Sequence, residues 1–174
     1  IPRAKWMGYR SPSIMMVTIV TTKRLPLLGK LQGENIILTE LGQKVAEEIK
    51  RIPTYNGAES IEIYSYVIMP DHVHILLHIH EHLPRHVGYY IRWFKKQCTY
   101  IGLALAVPSA RNHVSLFAPQ YHDLLLKGKN QLPHLVRYIQ DNPRRLALKR
   151  ANKDLFRIRQ NQLIGTIQCT VLGN

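Results

Sequence analysis

The spacing of apolar and polar positions changes several times along the chain, and each change marks an element. Ile14–Thr22 is dense in β-branched residues and predicts a strand entering the core. The next stretch, LLGKLQGENIILT, sets two glycines between apolar pieces and predicts a turn or short hairpin. Thr39 is placed to cap a helix carrying Leu41, Val45, Ile49 and Ile52 at helical spacing, which Pro53 ends. Ile61–Ile68 predicts a second long strand. Met69-Pro70-Asp71 interrupts it, and His72–His80 continues in strict period two as a third. Between Pro84 and about Leu105, residues Val87, Ile91, Phe94, Cys98 and Ile101 form one helical stripe. Gln120–Leu126 reads as a fourth strand, Leu132–Asp141 as a short helix stopped by Asn142-Pro143, and Ile164–Leu172 as an added strand. The order β-α-β-β-α-β-α predicts an α+β fold of the ferredoxin-like split βαβ kind. Its antiparallel sheet is covered by helices, with a further helix near the C-terminus.

Length and composition fit one domain over 1–174, with a core from about 14 to 148 and a basic extension over 149–174. No apolar run approaches the roughly 18 residues of a membrane span, and the basic N-terminus IPRAKWMGYR lacks the apolar stretch of a signal peptide. Cys98 and Cys169 are too few and too far apart for a disulfide framework, which points to a reducing, cytoplasmic setting. The charge changes the picture most. Lys and Arg number 24 against 11 Asp and Glu, a formal net charge of +13. Such a surplus favours polyanionic partners, of which nucleic acid is the commonest.

The third strand carries the candidate chemistry. Side chains alternate faces along a strand, so Val73, Ile75, Leu77 and Ile79 point into the core while His72, His74, Leu76, His78 and His80 point the other way. Neighbours on one face lie roughly 6.6 Å apart, close enough for two imidazoles to share one ion, whereas His72 and His78 are separated by roughly 20 Å. His72 and His74 are the stronger pair, because they follow the Met-Pro turn; His78 and His80 are the weaker. A half-exposed strand face also tolerates histidines without function, so the pair needs a partner. On the helix near the C-terminus Tyr138 and Asn142 are four residues apart and project together. Beside the histidine strand they would offer a phenol nucleophile and a hard oxygen ligand to the same ion. Alone, Tyr138 would read as an ordinary tyrosine of an amphipathic helix.

Four blocks in order resemble the single-tyrosine HUH transposases. They are VTIVTTKRLPLLG (Val17–Gly29), YVIMPDHVHILL (Tyr66–Leu77), QYHDLLL (Gln120–Leu126) and VRYIQDNP (Val136–Pro143). The similarity is closest to the insertion-sequence single-stranded-DNA transposases and the REP-associated tyrosine transposases. The resemblance implies that His72, His74 and Asn142 are metal ligands for Mg²⁺ or Mn²⁺ and that Tyr138 is the nucleophile. The reaction it implies is nicking and rejoining of single-stranded, hairpin-flanked DNA through a 5′-phosphotyrosine. The family pattern usually has Asn where this chain has Asp71, which adds a carboxylate beside the site. His122 and Asp123 match the Tyr-His-Asp block and are accessory candidates with Asp71, whereas His78 and His80 match no functional position of the family and read as surface.

Arg92, Lys95 and Lys96 on the long helix, and Arg144, Arg145, Lys149 and Arg150 after the tyrosine, are the candidates for phosphate contact. Tyr89, Tyr90 and Trp93 are candidates to stack on unpaired bases. Insertion-sequence members are homodimers and some domesticated relatives monomers, so either state is compatible with the resemblance, as is a cytoplasmic, nucleoid-associated location. Two other classes compete: a hairpin-binding regulator that has lost its chemistry, and a zinc hydrolase acting on a small substrate. The intact His-His-Tyr-Asn set argues against the first, and the charge, with no Glu near the His pair, against the second.

Overall fold

The computed structural model describes residues 9–107, 115–126 and 128–152. Strand β1 (Ser13–Val20) is followed by a hairpin of β2 (Gly29–Gln32) and β3 (Asn35–Leu38), then by helix α1 (Glu40–Arg51). Strands β4 (Ile61–Ile68) and β5 (His72–Ile79) come next, then α2 (Val87–Ala104), β6 (His122–Leu125) and α3 (Leu132–Ala151). Four strands form one sheet in the order β4-β5-β1-β6, with every neighbouring pair antiparallel. With α1 and α2 as the two crossovers, this is the expected ferredoxin-like split βαβ arrangement.

Local chemistry explains the boundaries. The Thr39 hydroxyl accepts from Gly42 N–H at 3.1 Å and caps α1, as its position predicts. Gly42 has no room for a side chain, because a Cβ there would lie 2.0 Å from the Leu28 carbonyl oxygen. Pro53 ends α1 in a short 3₁₀ turn, Ile52–Thr54. The LLGKLQGENIILT stretch is the β2–β3 hairpin, turning at Gly33 with φ +61.

The two sheet faces have different jobs. Met15, Val17 and Ile19 of β1 and Val73, Ile75, Leu77 and Ile79 of β5 are buried against α1 and α2. From those helices come Leu41, Val45 and Ile49, and Val87, Ile91, Phe94 and Cys98. Burying this many aliphatic side chains, each contributing roughly 1.5–3 kcal/mol, makes that face the main core. Helix α3 covers the other face, packing against β4 and touching the β2–β3 hairpin. There Leu76 and His74 of β5 are buried with Ile139 and Asn142 of α3. The histidine face is therefore covered at one end, not half-exposed throughout.

One expected boundary is wrong. α3 does not stop at Asn142-Pro143; it runs through Pro143 to Ala151. Pro143 costs the helix one backbone hydrogen bond. The Asn142 side-chain amide donates back to the Tyr138 carbonyl at 2.7 Å, and burial of Ile139 and Asn142 holds the helix on the sheet. The strand expected over Ile164–Leu172 lies outside the described residues. Among those described, no helix is long and apolar enough to cross a membrane.

Candidate active site

Strand register builds the site in rows. In an antiparallel pair, directly opposed residues share a face. His74 opposes Thr18 of β1, and Thr18 opposes His122 of β6, so one row across the sheet reads His74–Thr18–His122. His72 lies one row further on, opposite Val20. The two imidazoles meet edge to face with centroids 4.8 Å apart. Their spacing is set by the strand and their approach to the β4–β5 turn by backbone bonds. Met69 N–H donates to the His72 carbonyl at 2.8 Å, and Thr21 N–H to the Asp71 carbonyl at 2.8 Å.

Each ring is oriented through Nδ1. Asp71 Oδ1 lies 2.6 Å from His72 Nδ1, while Asp71 Oδ2 lies 3.2 Å from the Arg24 guanidinium. An ionised carboxylate only accepts, so His72 Nδ1 carries the proton and Nε2 is left for a ligand. Partial burial pulls the Asp71 pKa up, but the hydrogen bond and charge of His72, with those of Arg24, hold it below the ordinary carboxylate value. The Thr18 hydroxyl lies 2.8 Å from His74 Nδ1 and holds that ring in turn. Burial, then the charge of His72, lowers the His74 pKa to about 4, so this imidazole is neutral at physiological pH.

Helix α3 brings the tyrosine. The Tyr138 ring meets His74 edge to face at 5.7 Å between centroids, and the Arg145 guanidinium carbon lies 5.0 Å from the Tyr138 centroid. One helical turn on, Asn142 has its amide nitrogen committed to the Tyr138 carbonyl, which leaves its side-chain oxygen as an acceptor. A cleft of about 240 Å³ is lined by His72, His74, Tyr138 and Asn142 and, around them, by Arg24, Arg145 and Lys149. Two imidazole nitrogens and an amide oxygen around one cleft, with both rings held through Nδ1, fit a divalent ion with open positions.

The structure thus gathers His72, His74, Tyr138, Asn142, Asp71, Arg145 and Lys149. It separates the other accessory candidates. His122 is exposed, two strands from His74, and Asp123 opposes buried Val17 on the opposite sheet face, where the Tyr9 hydroxyl donates to it. Arg144 does not line the cleft; its guanidinium lies 3.8 Å from both Glu34 and Asp141. Two expectations on α2 are corrected. Lys95 is buried with its ammonium on the Ala118 and Pro119 carbonyls, so it is not a phosphate contact. Tyr90 is fully buried and bonds the Gly57 carbonyl, so it cannot stack on a base. Exposed Arg92, Trp93 and Lys96 remain on the surface, with Lys96 Nζ 5.5 Å from the Trp93 centroid and 5.7 Å from that of exposed Tyr100. Sequence reasoning does not single out Thr18 or Arg24. The alternation of β1 points Thr18 to the histidine face and could have found it. Arg24 carries no such signal, because its place depends on left-handed backbone at Lys23 and Arg24, φ +56 and +53.

A second group can hold a metal: ligand atoms of Glu62, His78 and His80 lie within 4.8 Å of one another.

The fold resembles solved transposase structures. A REP-associated tyrosine transposase bound to a REP hairpin superposes with a TM-score of 0.58 at 18% identity, over 83% of this chain and 74% of that one. A candidate transposase from Deinococcus radiodurans gives 0.50 at 20% identity, over 79% and 96%. In sequence, an uncharacterized protein of Haemophilus influenzae is 23% identical over 156 residues, 81% of this chain and 86% of that protein. The family model described as IS200-like transposase matches residues 34–142, more than half of the chain. With that match, over a span that includes the histidine strand and reaches Asn142, the chain belongs to the IS200-like transposase family.

Proposed function

We propose that this chain nicks and rejoins single-stranded DNA beside hairpins, with Tyr138 as nucleophile. The observation that carries this reading is the meeting of Tyr138 with His74, 5.7 Å between ring centroids, in a cleft edged by Arg24, Arg145 and Lys149. The cations would bind the phosphates flanking the scissile one, and Arg145 puts positive charge beside the phenol. The Tyr138 oxygen attacks phosphorus and becomes joined to the 5′ end. The bond from phosphorus to the 3′ oxygen breaks, and that oxygen leaves with a proton as a 3′-hydroxyl. The phosphoester is conserved on the enzyme, so a 3′-hydroxyl can reverse the step and rejoin a strand. His72, His74 and Asn142 would hold the ion. Bound Mg²⁺ or Mn²⁺ would supply Lewis-acid polarisation of the phosphate. The solved REP-associated relative, whose partner is a REP hairpin, supports a folded single strand as substrate.

The test uses labelled hairpin oligonucleotides drawn from the gene's own flanks, with Mg²⁺ or Mn²⁺. A denaturation-resistant protein–DNA adduct is expected, lost in Tyr138→Phe while hairpin binding persists. An adduct that survives Tyr138→Phe would overturn the assignment. Salt-sensitive hairpin binding with no cleavage under any divalent ion would instead identify a regulator that has lost its chemistry.

A further inference from the structure

We propose that Glu62, His78 and His80 form a second, separate site for a first-row transition-metal ion of the zinc class. Strand register assembles it. Glu62 of β4 directly opposes His78 of β5, and His80 follows two residues later, its backbone N–H donating to the Ser60 carbonyl at 2.9 Å. Glu62 Oε2 consequently lies 2.7 Å from His80 Nε2 and 3.6 Å from His78 Nδ1, and the two rings lie 3.9 Å apart between centroids.

These separations are close to those of a coordination sphere. Donors about 2.0–2.2 Å from a tetrahedral ion sit roughly 3.3–3.6 Å from one another. The His78–Glu62 spacing already matches; the His80–Glu62 hydrogen bond must open by less than about 1 Å, its proton leaving as the ion enters. Two imidazole nitrogens and one carboxylate oxygen suit the zinc class. Mg²⁺ and Ca²⁺ favour oxygen shells. The side chains are 33–53% exposed, so the ion enters from solvent. Three protein ligands leave positions open, and a cavity of about 360 Å³ lined by Pro12, Ser13, Ile14, His78, His80 and Leu126 lies alongside. His72 and His78 are roughly 20 Å apart along β5, so this site and the one at Tyr138 cannot share an ion. The second site is independent of the chemistry proposed for Tyr138.

Co²⁺ replaces zinc as a visible probe. In the His72→Gln/His74→Gln chain, one Co²⁺ per chain is expected by calorimetry, with d–d absorption that Zn²⁺ abolishes and Mg²⁺ does not. Adding Glu62→Gln, His78→Gln and His80→Gln should weaken binding roughly 100-fold or more, since whole ligands are removed rather than their outer partners. In the otherwise unaltered chain the same three changes should lower Co²⁺ stoichiometry by one, which keeps the test valid if the double variant misfolds. No stoichiometric Co²⁺, or binding indifferent to the three substitutions, would overturn the site. An adduct that survives Tyr138→Phe would overturn the Tyr138 reading and leave these metal readouts untouched, so the two readings fail separately.

Discussion

Thr18 and His74 oppose each other across β1 and β5, and the hydroxyl of one holds the imidazole of the other at 2.8 Å. The hydrogen bond fixes which ring nitrogen of His74 faces the cleft. Thr18→Val keeps the shape and removes the hold. Metal affinity or nicking rate should fall about 10–100-fold, with about 1–2 kcal/mol of stability lost from the unpaired Nδ1. Thr18→Ser should restore most of both. Metal titration and denaturant melts distinguish this from a rate effect of misfolding.

Asp71 does the same for His72 while also meeting Arg24. Asp71→Asn, the residue usual in the family pattern, keeps an acceptor for His72 Nδ1 and should change metal affinity only severalfold. Asp71→Ala removes it and should cost about 10–100-fold. Equal losses in the two variants, measured by metal titration, would show that charge rather than orientation is what Asp71 supplies.

His74 links acid stability to the site. Its folded pKa, about 4, lies below the ordinary 6.5 of the unfolded chain, so unfolding takes up a proton between those values. The stability this represents is fully present above pH 6.5 and is lost as pH falls towards about 4. Metal-free protein should lose roughly 1–3 kcal/mol across that window, read from urea midpoints. His74→Gln should flatten that part of the profile.

Lys95 and Arg145 should separate structure from DNA binding. Lys95→Met leaves the Ala118 and Pro119 carbonyls unpaired and should destabilise by about 1–3 kcal/mol, with no change in the salt dependence of DNA binding. Arg145→Gln should leave the melting temperature nearly unchanged and reduce the salt slope by about 0.7 for each single-strand phosphate that Arg145 neutralises. Binding isotherms over a salt series give both slopes.

Gly42→Ala tests the seat of α1 under the loop at Leu28. A methyl group placed 2.0 Å from the Leu28 oxygen forces the helix or the loop to move. A loss of about 1–3 kcal/mol is expected in thermal or denaturant unfolding, although alanine favours helix more than glycine does.

The sequence by itself determined the elements and their faces. Period two put the four histidines on one side of a strand, and helical spacing put Leu41, Val45 and Ile49 in the core. Tyr138 and Asn142 fell one turn apart for the same reason. These are local properties, set by backbone geometry within a few residues. What the tertiary structure decided was which distant groups meet. Strand pairing set Thr18 against His74 and Glu62 against His78, and only the docking of α3 buried His74 beside Tyr138. It also overrode local signals: packing of Ile139 and Asn142 carried α3 past Pro143, and two loop carbonyls drew Lys95 inward. Period two made the four histidines look alike. Packing made them different, because α3 buries His74 beside Tyr138, sets His72 in the same cleft and leaves His78 and His80 open beside Glu62.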